Sequence, residues 1–561
     1  MSIRRSLLFP LLALGLVAAC PQPTPRGDDD DSGSADLGDD DDAGDDDDDP
    51  GAICDQLELP RRAFHEGPYG GLRHDVAEDF TVRTKRGEFW NLREQFSGCE
   101  SYIFLMDNLT VSPNDPTPLI EKTDDLAELV RRSPPNVHYF FISRADSGAA
   151  ENEVTDALRA RLDGLLKDWP EDMEEDAAHW DARLHVVNDR LWNMDNWLDN
   201  ALGTHGARGL AVDRLQTVRG VGSLADVLRR DNTLQWPWED NIAYAAHEAQ
   251  YYNYEADRQD RLDAEQNVTI VTPWDGEILQ EFEDTDVEFP DAAAMAGFDT
   301  LEIDLTAWCP NEFLLEQSNC GAWDYLAHIH VRDEADENWI EMARFITTYH
   351  RAGRYVVDAT PALVELASGG TRRIRYSFAP SWNVQPTWTK LDFRFSNRGK
   401  GHRPTESTFL FSGGGFNPSY NEGREPIEVA VPASAAKVEL VAIITGHGAA
   451  DGNQCAEFCD HQHAFTVNGT EHVKTHPAIG NPEGCLETIG TGTVPNQSGT
   501  WWTGRGGWCP GRQVDPWVVD VTDIVTPGET ATIEYRALWD GRNPPADGGN
   551  IVLTSWLVVY E

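Results

Sequence analysis

Two cysteine-bounded clusters hold the residues best suited to chemistry in this chain. One runs from Gly448 to Gly511; it contains Cys455-Ala-Glu-Phe-Cys459 and ends with Arg505-Gly-Gly-Trp-Cys-Pro-Gly511. The other runs from Cys309-Pro-Asn311 to Cys320-Gly-Ala-Trp-Asp324. Taken singly, Asp324 or Glu457 reads as a surface acid or a turn cap. Two acids beside an arginine read differently, because unlike environments push their pKa values apart and let them divide acid–base work. The two clusters are therefore expected to form one hydrolytic site.

The elements that must carry such a site change character along the chain. Residues 54–230 alternate strands and helices. Strand candidates are Tyr102–Met106, Val137–Ile142 and Leu184–Val187, helical periodicity covers Leu119–Arg131 and Val154–Leu166, and Gly209–Gly222 reads as a hairpin. This order, with Asp79-Phe-Thr-Val and Asn91-Leu, resembles the thioredoxin/peroxiredoxin fold. A redox member carries a low-pKa Cys after its first core strand. Here that stretch, 107–116, has none, so a redox-silent scaffold is expected over 52–231. Residues 232–266 read as a helical linker whose Tyr251-Tyr-Asn-Tyr254 group packs rather than binds. From Val268 onward, short alternating strands broken by Gly, Pro and Asn predict antiparallel sandwiches. Their length suits two jelly rolls, 267–422 and 423–561, divided near Gly423. The fold class expected is thus a thioredoxin-like α/β domain followed by two antiparallel β-sandwich jelly rolls.

Composition narrows the setting. The chain has 561 residues and a net charge of −51, of which 14 Asp and no base fall between Asp28 and Asp49. The acidic balance argues against nucleic acid as a partner. Residues 20–51 bury too little to fold and read as a solvated tether rather than a calcium loop. Arg4 and Arg5 precede an apolar run ending in Leu16-Val-Ala-Ala-Cys20. Residues 1–19 therefore read as a lipoprotein signal peptide, Cys20 as the lipidated residue, and the product as an exported bacterial lipoprotein of the outer membrane or cell surface. Export places the other cysteines in an oxidising compartment, where Cys54 and Cys99 read as a pair. Of the six in the C-terminal half, Cys455 with Cys459 could close a tight loop, and Cys309 with Cys320 and Cys485 with Cys509 longer ones. Spacing alone does not fix that set. No Cys-x-x-Cys pair appears, which favours disulfides over metal ligation.

The two clusters and the run between them carry motifs in order: Trp323-Asp-Tyr-Leu-Ala, the run Trp339 to Tyr349, Cys455-Ala-Glu-Phe-Cys459, Asn496-Gln-Ser498 and Arg505-Gly-Gly-Trp-Cys-Pro-Gly511. Together they resemble the bacterial peptide-N-glycosidase F family over about 268–561. The resemblance implies two eight-stranded jelly rolls, the three disulfides just named, and an amidase that cleaves the bond between Asn and the first N-acetylglucosamine of N-glycans. It implies Asp324 as principal catalytic acid, Glu457 as second acid and Arg505 at the centre. Asp324 would activate water, Glu457 would hold the water and core sugar, and Arg505 would keep Asp324 ionised. Trp323, Trp382, Phe458 and Trp508 would bind substrate. The partners implied are N-linked glycoproteins or glycopeptides, with the membrane met only through Cys20.

The chain departs from the family pattern in several places. The third family Glu, on a strand before a Trp, is missing: no Glu occurs from Leu366 to Thr405, around Trp382. Tyr325 replaces a basic residue, His447-Gly-Ala449 stands where the family has Trp-Gly-His, and the Cys309–Cys320 spacer is longer. These changes make a non-catalytic carbohydrate-binding surface lipoprotein the alternative. The family's fold is also similar to that of copper-dependent monooxygenases, which use a His-x-His pair. His328-Ile-His330 and His461-Gln-His463 each put two rings on one face of a strand. No recognisable motif places the Met such a site would need. The expectation is ordinary strand histidines, no metal and no cofactor.

Overall fold

The computed structural model describes residues 49–106, 123–144, 147–205, 209–226, 239–311, 316, 320–333, 337–448 and 455–561. The signal run, Cys20, the tether up to residue 48 and the cysteine-free stretch 107–116 lie outside them.

The N-terminal part is built on a five-stranded mixed sheet. Its order is Leu184–Val186, Val137–Ile142, Ser101–Met106, Gly209–Val212 and Val218–Gly220; the first three run parallel and the last two add as an antiparallel hairpin. The two central parallel strands are buried at all six positions, which is why they read as continuous apolar runs. Cys54 and Cys99 are bonded and tie the short N-terminal helix Ala52–Gln56 to the start of the central strand.

The expected linker helix, Ala245–Ala264, is instead a core element. Tyr251 and Tyr252 are fully buried, and one continuous apolar core passes from Ile103 and Leu105 through these tyrosines to Leu301 and Ile303 of the first sandwich. Residues 50–561 form one compact unit.

Two antiparallel sandwiches follow. In the first, Thr269–Leu279, Thr387–Ser396, Thr300–Trp308 and Gly353–Asp358 form one sheet; Phe282–Asp291, Gly369–Ser377, Leu326–Arg332 and Trp339–Ile346 form the other. In the second, Pro404–Gly415, Asn550–Tyr560, Lys437–His447 and Trp517–Asp520 face Ile427–Ala430, Thr530–Trp539, His461–Val467 and Thr470–Lys474. Leu326–Arg332 alternates buried and half-buried residues along its whole length, as a strand with one face on a core must.

The boundary differs from expectation. Pro404–Gly415 pairs with Asn550–Tyr560, so the break between sandwiches falls in 397–403 rather than near Gly423. A second crossing runs the other way: Gln513–Val514 returns to pair with Arg344 and Phe345 of the first sandwich. Ile346, Ile443, Trp508 and Val514 make a small apolar cluster at that junction. Arg344, fully buried there, pairs with Glu341 at 2.7 Å and donates to Val552 O at 2.8 Å. The junction thus joins the two sandwiches through both packing and hydrogen bonds.

Candidate active site

Three disulfides frame the site: Cys309–Cys320, Cys455–Cys459 and Cys485–Cys509. Asp324 lies in the short segment between Cys320 and the strand Leu326–Arg332. Thr347 aims that segment. Its hydroxyl donates to Trp323 O at 2.6 Å and accepts from Tyr325 N at 2.8 Å, and its own N–H donates to Tyr325 O. On the other side Ala322 N donates to Gln385 Oε1 at 2.6 Å.

Glu457 sits at the tip of the Cys455–Cys459 loop. Cys459 N and Phe458 N both donate to Cys455 O, making a tight turn that the disulfide closes. Gly506 N donates to Glu457 O at 2.7 Å, and Gly446 N donates to Gly506 O at 2.7 Å. The loop bearing Glu457, the turn bearing Arg505 and the end of Lys437–His447 are thereby held in register.

Arg505 joins the two acids. Its Nε lies 3.0 Å from Glu457 Oε1 and its Nη2 lies 3.5 Å from Asp324 Oδ2. The guanidinium also donates to Thr503 O at 3.0 Å and Thr500 O at 2.6 Å, and its side chain is only 1% exposed. Phe458 and Trp508 rings lie 5.3 and 4.8 Å from its centre, a low-dielectric clamp for a fixed cation.

One arginine does not fully compensate two carboxyls. Burial pushes the Asp324 carboxyl above its ordinary range; the Arg505 charge and a hydrogen bond from the Tyr349 hydroxyl pull it back only in part. Burial likewise raises Glu457, Arg505 lowers it, and the neighbouring Asp324 raises it again. Both acids therefore gain affinity for protons, the condition for acid–base work near neutral pH. Between them the geometry can hold a water, orient it and receive its proton.

The residues expected to meet substrate divide. Trp323 is 51% exposed and Trp382 79%; Trp382 packs edge-on to Tyr325 at 6.4 Å, and Tyr325 Oη accepts from Asn383 Nδ2 at 2.8 Å. Tyr325, Trp382 and Asn383 thus form the wall nearest the missing Glu. Phe458 is half-buried under Arg505. Trp508 is not a substrate contact: it is 7% exposed, its indole N–H donates to Gly446 O at 2.8 Å, and it stacks on His447. Its role is to support Arg505 from below. Ala449 lies outside the described residues.

Tyr349 was missed as a site residue, though it ends a run already singled out. It follows the strand that pairs with Leu326–Arg332, which is how it comes beside Asp324. Gln497 Oε1 accepts from Tyr349 N at 2.8 Å, and Ser498 N donates to Tyr349 O. A side chain on Gly499 would collide with the tyrosine ring at 2.3 Å. The Asn496-Gln-Ser498 motif thus seats this ring. His328 is used elsewhere, in a cleft of about 710 Å³ lined also by Trp339, Glu341, Thr554 and Trp556; its Nδ1 is 2.6 Å from Glu341.

Comparison with known proteins bears on this geometry. Residues 416–558 match the model of the family described as peptide-N-glycosidase F, C terminal. The chain is 24% identical over 257 residues to peptide-N(4)-(N-acetyl-beta-D-glucosaminyl)asparagine amidase F of Elizabethkingia miricola, covering 42% of this chain and 67% of that protein. Among solved structures it is similar to PNGase F, a glycosylasparaginase from Flavobacterium meningosepticum (21% identity, TM-score 0.41, 52% of this chain and 96% of that one). It is also similar to a peptide-N(4)-(N-acetyl-beta-D-glucosaminyl)asparagine amidase (20% identity, TM-score 0.43, 53% and 96%). The second sandwich thus matches the peptide-N-glycosidase F C-terminal family model, and the C-terminal half of the chain is similar to a known amidase.

Proposed function

We propose that this chain is an amidase that hydrolyses the bond between an Asn side chain and the first N-acetylglucosamine of N-linked glycoproteins or glycopeptides. The observation that carries the reading is Arg505, buried and bridging Glu457 to Asp324 across the junction of the two sandwiches. Asp324, ionised in the working state, takes a proton from the water as its oxygen attacks the amide carbon. Arg505 and the Tyr349 hydroxyl hold the acids in place while the negative charge moves. The C–N bond then breaks, the glycosylamine leaves with a proton returned to its nitrogen, and the peptide retains Asp where it had Asn. Trp323 and Trp382 offer exposed ring faces to the sugar.

The test is incubation of the full chain with a defined glycopeptide, followed by mass analysis for Asn-to-Asp conversion and glycan release. Conversion that stops in Asp324→Asn supports the reading. Glycan binding without conversion would replace it with the carbohydrate-binding alternative, which the absence of an acid on the Trp382 wall favours.

We further infer that residues 52–231 are a thioredoxin-like, redox-silent scaffold; three parallel strands extended by an antiparallel hairpin support this. The lipoprotein signal and Cys20 support export and surface anchoring, which a mass measurement of the mature N-terminus checks.

A further inference from the structure

The strand His461–Val467 pairs with Thr470–Lys474 so that His463 stands opposite Lys474. His476 follows two residues beyond the end of that strand, and its ring lies 4.9 Å from that of His461. All three imidazoles are buried together in the second sandwich, none more than 5% exposed. One ring nitrogen of each lies within 4.8 Å of the other two, with His461 Nδ1 and His463 Nε2 at 2.9 Å.

His463 has a hydrogen-bond partner outside the group, whereas His461 Nε2 is buried without one. His463 Nδ1 is 2.8 Å from the Tyr535 hydroxyl, which is 3.0 Å from the Tyr420 hydroxyl, and Arg424 lies over both tyrosine rings. His476 Nε2 completes the group as a buried nitrogen with no hydrogen-bond partner, an arrangement that is costly if nothing satisfies it.

We propose that His461, His463 and His476 form a structural site for a first-row transition ion of the imidazole-preferring class, zinc or copper. The donor set is all nitrogen, which excludes calcium and magnesium by ligand type. The outward bond from His463 to Tyr535 is the kind of orienting contact that metal-bound histidines make. The site lies directly behind the catalytic loops. A side chain on Gly446 or Gly506 would come within 2.4 or 2.6 Å of His461 Nε2, and one on Gly507 within 2.7 Å of the His476 ring. The ion touches no substrate; it clasps the hairpin to the turn that carries Arg505. The sequence reading lacked a third ligand because His476 joins the pair only through strand pairing.

The test uses the full chain without an affinity tag, stripped with a chelator, incubated with Zn²⁺ or Cu⁺, desalted and assayed by elemental analysis and thermal melting. The expected result is about one ion per chain for at least one metal, with a raised Tm because only the folded state offers the site. In His476→Gln the bound ion falls to background and the Tm no longer responds. Retention of neither ion by the wild type overturns the proposal. So does a wild-type Tm that neither ion raises, or undiminished binding in both His476→Gln and His463→Gln.

Discussion

Two clusters of buried acids and arginines sit on either side of the first sandwich, and they are balanced differently. At the docking face of the N-terminal domain, Arg219 pairs with Asp213, Glu255 and Glu316, while Arg351 pairs with Glu248 at 2.6 Å and Glu316 at 3.2 Å. Glu255 meets Arg219 and Arg258, and Glu316 meets Arg219 and Arg351, two guanidiniums each. Burial pushes Glu255 up, but Arg219 and Arg258 outweigh it and leave it at about 2; Glu316 is lowered in the same way by Arg219 and Arg351. At the candidate active site two acids share Arg505 as the one guanidinium among the described residues, and both end above their ordinary range. The residue types are the same in both places. The number of cations per acid decides whether a cluster is an inert clamp or a proton-exchanging site.

Breaking the site should have the largest effect on rate. Asp324→Asn is expected to lower kcat/KM on a glycopeptide by about 10²–10⁴-fold, with Tm unchanged or raised because a buried acid is removed. Breaking the clamp should act on stability instead: Arg351→Met strands Glu248, leaves Glu316 with Arg219 alone, and is expected to cost roughly 3–5 kcal/mol in denaturant unfolding. Because Asn496 Nδ2 also donates to Glu248 at 2.8 Å and Ser223 N donates to Asn496 O, that loss should reach the motif beneath Tyr349 and lower activity secondarily.

The two clusters should also part in their pH behaviour. In the proposed reaction Asp324 acts ionised, and its affinity for protons is raised, so the acid limb of kcat/KM should lie above the ordinary carboxylate range. Arg505→Gln removes a lowering influence and should move that limb to higher pH, which a pH–rate profile of both forms would show. For Glu255 the sign reverses. Its stabilisation is present above the unfolded value near 4.5 and is lost as pH falls towards about 2. Glu255→Gln should therefore weaken the fold at neutral pH and converge with wild type near pH 2. The smallest effect is expected at the wall near Trp382. Tyr325→Phe removes one hydrogen bond to Asn383, worth about 0.5–1.5 kcal/mol, and should raise KM several-fold with kcat little changed.

Much of this was legible in the chain itself. The apolar runs Tyr102–Met106 and Val137–Ile142 and the alternation of His328–Arg332 are local patterns. The strands they form follow from which faces must leave water. Cys455-Ala-Glu-Phe-Cys459 is local too, since its short spacing and disulfide confine Glu457 to the tip of a tight loop. What escaped was non-local. Pro404–Gly415 belongs to the second sandwich only because Asn550–Tyr560, far along the chain, is its partner. Trp508 resembled a sugar platform and proved to be a floor for Arg505, because nothing in Gly-Trp-Cys-Pro-Gly shows which side of the ring meets Gly446. Tyr349 and His476 depend on strand pairing, which no single stretch contains.

By itself, then, the sequence determined the strands, the disulfide-bounded loops and the inventory of acids, arginines and histidines, because propensity, alternation and short loop closure act over a few residues. The tertiary structure alone decided how many guanidiniums each buried carboxyl meets. That count depends on chain segments far apart in sequence, and it sets whether an acid is pinned as an anion or left able to exchange a proton.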